Sequence, residues 1–402
     1  MTRCRLGLLA ILLAVGAGCS TGQSPKPDKK CELVATPDFG PQGHSALKAE
    51  VVVGGLEVPW GIAFLPNGDM LVTERPGQIR MVKDGALTPP IAVLPVIEEG
   101  ESGLLGIAVD PEFDKNRLFY VYATVYGSTG AEAHVERWRL ALAGASAARD
   151  KVLLAGIPAS RYHTGGRIHF GPDGMLYVST GDAEQPDLAQ DPLSLAGKIL
   201  RMNRDGTVPE DNPRRGSYVY MRGVRNVQGF AWPGDGTLFV ADHGPSGEQG
   251  RTGHDEITRA KPGADLGWPG AVGCESLARS TAPSIAWERS APPGGAAIYT
   301  GDEMSEWKGS LLVAMLGAKH LHRVVFDPRD SRKIERHEVY FEGDPPTGLG
   351  RLREVVMGPD GALYVTTSNC DGRGVCPQDR DRIMRIRRWS PPPAQAWSQH
   401  DG

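Results

Sequence analysis

The sequence predicts an all-β fold, a six-bladed β-propeller of four-stranded antiparallel blades, and three observations carry that expectation. The chain of 402 residues holds 52 glycines and 32 prolines, a density of turn formers that disfavours a helical bundle and suits many short strands. Its middle repeats one order of short apolar strands around Pro-Asp-Gly-type turns. A unit that short cannot bury both faces of its own sheet, so several copies must stack, and radial packing fits best. The 40% apolar content is ample for a core and excludes a disordered polymer, while glycines without a three-residue period exclude collagen.

The copies run as follows. Residues 60–64 lead through Pro66-Asn67-Gly68 to 70–73 and 77–82; 167–170 lead through Pro172-Asp173-Gly174 to 175–178 and 197–202. The order returns at 228–231, Gly234-Asp235-Gly236 and 238–240, and again at 352–357, Pro359-Asp360-Gly361, 363–366 and 381–386. Two looser copies fall within 103–140 and 296–326. Asn-Gly and Asp-Gly turns match the twist of antiparallel hairpins. About six copies over roughly 340 residues give roughly 57 residues per repeat. A β-sandwich array is the alternative, but its strands would not repeat the whole blade order.

The ends read differently. Arg3 and Arg5 precede an apolar run over 6–18 that is too short for a comfortable membrane helix, and the small residues before Cys19 resemble a lipoprotein cleavage site. Residues 1–18 are therefore read as a lipoprotein-type signal peptide, with Cys19 as the lipid-bearing first residue. This implies an exported lipoprotein of the cell envelope, on the periplasmic or extracellular face of a membrane. Gly16 stands where such sites usually carry Leu, and ordinary cleavage nearby is the alternative. Residues 19–46, rich in Ser, Pro, Lys and Gly, read as a flexible tether. The folded domain spans 47–389, beginning between Leu47 and Gly54, and 390–402 read as a C-terminal tail. Cys370 and Cys376 flank five residues and suit a loop-closing disulfide in an oxidising compartment; a Cys31–Cys274 pair is left open by spacing. With a net charge of -4 and no long basic run, a nucleic-acid partner is not expected.

Propellers carry function on loops at one end of the channel, and three polar stretches stand out. Residues 161–167 hold His163 in a loop that leads into a strand, suited to a general base near neutral pH. Residues 223–229 hold Arg225 and Asn226, suited to a planar anionic ligand. Asp242-His243-Gly244-Pro245, with Asp255-Glu256 and Asp265–Pro269 downstream, offers carboxylates and loop carbonyls of the kind a hard cation such as calcium takes. Each stretch taken alone also fits a structural role: a bonded loop histidine, an Arg-Asn pair, a glycine-rich turn.

Taken together and in this order, these stretches resemble the soluble glucose/sorbosone dehydrogenase family, whose best-known members are pyrroloquinoline quinone (PQQ)-dependent aldose sugar dehydrogenases. The resemblance runs from about Leu56 to about Ile386. It rests on Gly103–Ala108 with Asp110–Phe113, His163–Arg167, Gly197–Arg201, Arg225–Gly229, His243-Gly244-Pro245, Asp255-Glu256-Ile257, Gly267-Trp268-Pro269 and Arg351-Leu352-Arg353. It implies that His163 removes the proton of the anomeric hydroxyl while hydride leaves carbon one for the quinone, with Asp182 orienting the imidazole. Arg225, Asn226, Arg351 and Arg353 match residues that contact PQQ. Gly244 and Pro245 match carbonyl ligands of a calcium touching the cofactor, and Glu256 and Leu266 match a second, structural calcium site. Four departures stand out: Glu101 replaces a glutamine that touches PQQ, and Gly317 replaces a lysine, with Lys319 as the nearby substitute. The segment 246–254 is longer than usual, and Leu266 replaces a tyrosine.

The implied function is an exported, membrane-tethered PQQ- and calcium-dependent oxidoreductase acting on aldose sugars or related polyol aldehydes, with an external electron acceptor. Two alternatives compete. One is a non-catalytic propeller lipoprotein that binds a carbohydrate or a cell-envelope partner. The other is a calcium-dependent lactonase-type hydrolase, which would want several side-chain ligands at the channel centre.

Overall fold

The computed structural model describes residues 31–390 other than Thr36 and Thr129. The expected signal peptide, Cys19 and the tail beyond Ser390 lie outside the described residues. Six antiparallel sheets pack side by side in a ring, the last returning against the first, which makes a six-bladed propeller. Each blade begins with its innermost strand: Pro59–Phe64, Leu104–Val109, Ile168–Phe170, Val227–Ala231, Pro293–Ile298 and Leu352–Met357. The fold thus agrees with the repeats, and the two looser copies are the second and fifth blades.

Within a blade, burial follows radial position. Second strands such as Leu311–Met315 and Leu363–Thr367 are buried at every residue, because sheets of neighbouring blades cover both faces; their near-continuous apolar runs are the sequence trace of this. Outer strands such as Ala147–Pro158 mix exposed charge with buried Leu153 and Ile157. Between blades, side chains interleave: Leu105, Tyr120 and Tyr122 of the second blade meet Ile168, Val178 and Leu200 of the third. Burying a side chain of this size contributes roughly 1.5–3 kcal/mol.

Closure uses both ends of the domain. Leu47–Leu56 pairs antiparallel with Asp381–Arg388 as the outer strand of the sixth blade, Leu47 opposite Arg388. The expectation of a free tether up to residue 46 is corrected for its described part. Glu32–Val34 adds in parallel to Ile285–Trp287 at the rim of the fourth blade, and Cys31 is bonded to Cys274. The Trp287 indole donates to the Phe39 carbonyl at 2.9 Å, and Trp307 donates to Ser45 Oγ at 2.9 Å. The segment is held by backbone pairing, two indole donors and a covalent bond, none of which its polar composition reveals. Cys370 and Cys376 are bonded to each other, as their spacing suggested. Among the described residues no helix is long and apolar enough to cross a membrane.

Candidate active site

Where the inner strands begin, their preceding loops converge on a cavity of about 590 Å³. Four arginines and four carboxylates line it, together with His163 and His243. So dense a set of buried charge is costly unless paired, and marks a site rather than a core.

His163 and Asp182 meet there. His163 Nδ1 lies 2.8 Å from Asp182 Oδ1, and the other Asp182 oxygen accepts the Trp268 indole N–H at 2.8 Å. A carboxylate only accepts, so Nδ1 carries a proton, and Nε2 is the ring nitrogen turned to the cavity. Two glycines permit this approach. A Cβ on Gly181 would stand 1.8 Å from the His163 carbonyl oxygen, and one on Gly165 would stand 2.6 Å from the backbone of Thr180. His163 itself adopts a left-handed backbone at φ 55°, a conformation that costs energy in a non-glycine residue and recurs at functional sites.

Around this pair the expected cofactor-binding residues assemble. Asn226 is fully buried; its amide oxygen accepts from Gly165 N–H at 3.0 Å and its amide nitrogen donates to Glu101 at 2.9 Å. Arg225 lies over the Trp268 ring, 5.7 Å from its centroid. Burial works to raise the Glu101 carboxyl, but His243, His163 and Arg373 outweigh it and hold the group down at about 2. Glu101 is therefore a carboxylate, 3.4 Å from Arg373. Arg351 donates to Asp371 at 2.9 Å, and Arg353 to Gln228 at 2.8 Å and Ser368 at 3.1 Å. Burial foremost, helped by Arg351 and Arg75, pulls the Arg353 guanidinium down to about 10 despite Asp371 and Glu101. Arg353 shares Asp371 with Arg351, at 3.6 Å, and two buried guanidinium groups on one carboxylate are a setting that an anionic ligand fits.

Lys319 does not join them, which corrects its expected cofactor role. Met315 pairs with His320 across a tight turn, and Lys319 at φ 54° directs its ammonium to Asp344 at 2.6 Å. A lysine at position 317 would not fit either, since a Cβ there would lie 2.7 Å from the Pro292 ring.

The four expected metal residues gather round one small cavity of about 20 Å³, which also touches Asp242. Asp242 and Glu256 are cross-strand partners, Gly244-Pro245 extends the strand that ends at Asp242, and Leu266 is fastened to Arg222 by a backbone bond of 2.9 Å. Burial first, then Asp242, pushes the Glu256 carboxyl well up. Neighbouring acids beside loop carbonyls offer oxygen donors of the kind a hard cation takes, while Arg225, His243 and His254 line the same cavity. Gly244 borders both cavities. Among the described residues no group of three or more His, Cys, Asp or Glu side chains is arranged to hold a metal, so a cation here would depend on carbonyls as much as on carboxylates.

Three further contributors were not singled out from sequence. Asp371 and Arg373 sit in the loop closed by Cys370–Cys376 and reach Arg351 and Glu101 respectively. Glu248, in the long 246–254 segment, pairs with Arg225; the extra length was the one visible signal. Below the cavity, Arg167 of the third blade pairs with Glu354 of the opposite sixth blade, and its guanidinium lies 4.2 Å from the Trp60 ring centroid. This closes the channel floor.

The comparisons agree with this geometry. The glucose/sorbosone dehydrogenase family matches residues 56–379. The aldose sugar dehydrogenase YliI of Escherichia coli is 30% identical over 354 residues, covering 82% of this chain and 92% of that protein. The PQQ-bound aldose sugar dehydrogenase of Streptomyces coelicolor superposes with a TM-score of 0.75 at 35% identity, covering 86% of this chain and 99% of that one. The quinoprotein glucose dehydrogenase B of Acinetobacter calcoaceticus is 28% identical over 257 residues, 56% of this chain and 52% of that protein. Six blades, a histidine-carboxylate pair and an arginine-lined cavity thus coincide with similarity over nearly the whole folded region, and the chain belongs to the glucose/sorbosone dehydrogenase family.

Proposed function

We propose that the protein is a PQQ-dependent aldose sugar dehydrogenase that oxidises the anomeric carbon and passes electrons to an external acceptor. The observation that carries this reading is the 2.8 Å His163–Asp182 contact, with Nε2 facing a cavity walled by arginines. Nε2 takes the proton of the anomeric hydroxyl, and Asp182 fixes the tautomer and stabilises the imidazolium that forms. Trp268 holds Asp182 from behind. Arg225, Asn226, Arg351 and Arg353 would hold PQQ, and Gly244 and Pro245 would offer carbonyls to calcium, with Glu256, Asp242 and Leu266 around the same small cavity. The chemistry supplied by these groups when bound is a two-electron quinone acceptor and Lewis-acid polarisation.

A non-catalytic binding propeller is the second reading, favoured by the carboxylates of Glu101, Glu248 and Asp371 set against the site's arginines. A lactonase-type hydrolase is disfavoured by the lack of a side-chain metal cluster among the described residues. Export with lipidation at Cys19 is part of the proposal and is supported by two disulfides, which persist in oxidising compartments. The deciding experiment adds PQQ and calcium to metal-free protein and tests a panel of aldoses with an artificial acceptor. Dye reduction that requires both PQQ and aldose is expected. Tight PQQ-free protein that binds sugar without turnover would favour the second reading.

A further inference from the structure

The segment 246–254 forms a compact lobe at the cavity wall. Gly247 N–H donates to the Arg251 carbonyl at 2.8 Å, Ser246 and Thr252 bridge, and Arg251 is tied to Glu275 at 2.7 Å. Left-handed backbone at Gln249 and Gly250, φ 55° and 72°, turns the chain so that Glu248 faces inward. One Glu248 oxygen accepts from Arg225 Nε at 3.1 Å and from its terminal nitrogen at 2.5 Å, and lies 3.6 Å from His163 Nε2. The other accepts from Ser246 N–H at 2.5 Å. A single carboxylate therefore touches the arginine and faces the free nitrogen of the base at once. Arg225 is only 3% exposed at its side chain, against 26% for Glu248, so the acid is the partner that has room to leave.

We propose that Glu248 is a built-in competitor anion that sets the protein's affinity for its cofactor. The inference rests on the proposed function. An anionic quinone or carboxylate oxygen that reaches Arg225 competes with Glu248, which already holds Nε–H and one N–H of a terminal nitrogen, and two anions on one buried guanidinium repel each other. Binding then requires the Glu248 side chain to rotate toward solvent, which also uncovers Nε2 of His163 for the sugar hydroxyl. Neutralising the acid removes this competition, while the amide of glutamine still caps the lobe.

The test is a titration of PQQ into calcium-supplemented wild type and Glu248→Gln, followed by tryptophan fluorescence and by equilibrium dialysis. Glu248→Gln is expected to bind at least about tenfold more tightly, the worth of a charge-assisted hydrogen bond no longer opposed. Arg251→Ala, which releases the lobe from Glu275 without altering the cavity, is expected to accelerate PQQ binding. Equal or weaker binding by Glu248→Gln overturns the inference and leaves the dehydrogenase intact. Unchanged PQQ affinity with a raised KM for aldose overturns it in favour of a direct sugar contact. Failure of both proteins to bind PQQ overturns the functional reading itself, and this inference with it.

Discussion

At one mouth of the channel the six inner strands start, behind the loops that carry Glu101, His163, Arg225 and Arg351; at the other they finish, in Phe64, Val109, Phe170, Ala231, Ile298 and Met357. That second mouth opens on a cavity of about 470 Å³ lined almost wholly by apolar side chains. The two spaces are made by the same six strands, yet one collects charge and the other sheds it. The difference teaches that a propeller separates tasks along its axis, because loops before the inner strands escape the packing that their far ends must satisfy. Arg167 and Glu354 sit between the two regimes, buried and paired across the channel.

The largest expected effect lies at the charged mouth. His163→Gln should lower turnover by roughly 10²–10⁴-fold, the usual worth of a positioned base, with PQQ binding and melting temperature nearly unchanged. Wild-type turnover in the reconstituted variant would break the assignment. At the channel floor, Glu354→Gln leaves Arg167 buried without its counter-charge and should destabilise the fold by about 3–5 kcal/mol in urea titrations. A variant as stable as wild type would show that water or another acceptor already serves Arg167.

A smaller effect is expected far from the channel, where His320, His322 and His337 stack beneath the N-terminal segment. Burial foremost, then the nearby His337, holds His320 down at about 4 although the Ala318 carbonyl opposes this, and burial holds His322 well below 6.5. The folded value is the depressed one, so this stability is complete above the ordinary pKa of about 6.5 and drains as pH falls toward 4. The slope is about 1.4 kcal/mol per unit for each histidine involved. Denaturant midpoints between pH 7 and 4 should show it, and His320→Asn should flatten it. Equal slopes in the two proteins would place the acid sensitivity elsewhere. The smallest effect belongs to the apolar mouth: Phe230→Leu, at a side chain buried to 1% exposure, should cost about 1 kcal/mol and leave kcat untouched. Lost turnover at unchanged stability would break the division of labour between the two ends.

Much of this was legible before any coordinates. The turn-punctuated repeat wrote the blades, since each blade must meet the same packing problem as its neighbours. His163 stood out as a histidine in a loop entering a strand, whereas Asp182, 19 residues on, came only with the family resemblance; they meet because the loops before the first strand and after the second strand of one blade end at the same rim. What stayed hidden depends on partners that no repeat encodes. Glu248 lies in an insertion with no register to count from. Lys319 looked like a displaced ligand until Asp344 and the Pro292 ring fixed the geometry of its turn. The segment before residue 47 looked like a linker because its attachment is made by backbone groups and Cys31, to which composition is blind.

The pairing of Leu47–Leu56 with Asp381–Arg388 has a consequence for incomplete chains. The strand that finishes the sixth sheet is the first of its four to leave the ribosome, and its partner is the last. A polypeptide cut short before Asp381 therefore does not yield a slightly smaller wheel. It leaves the Leu47 strand without its neighbour and the Leu363–Thr367 strand with a bare edge, two templates for aggregation or proteolysis. Only a chain that runs through Arg388 gives both strands their partner, so closure of the ring doubles as a check that the last blade has been made.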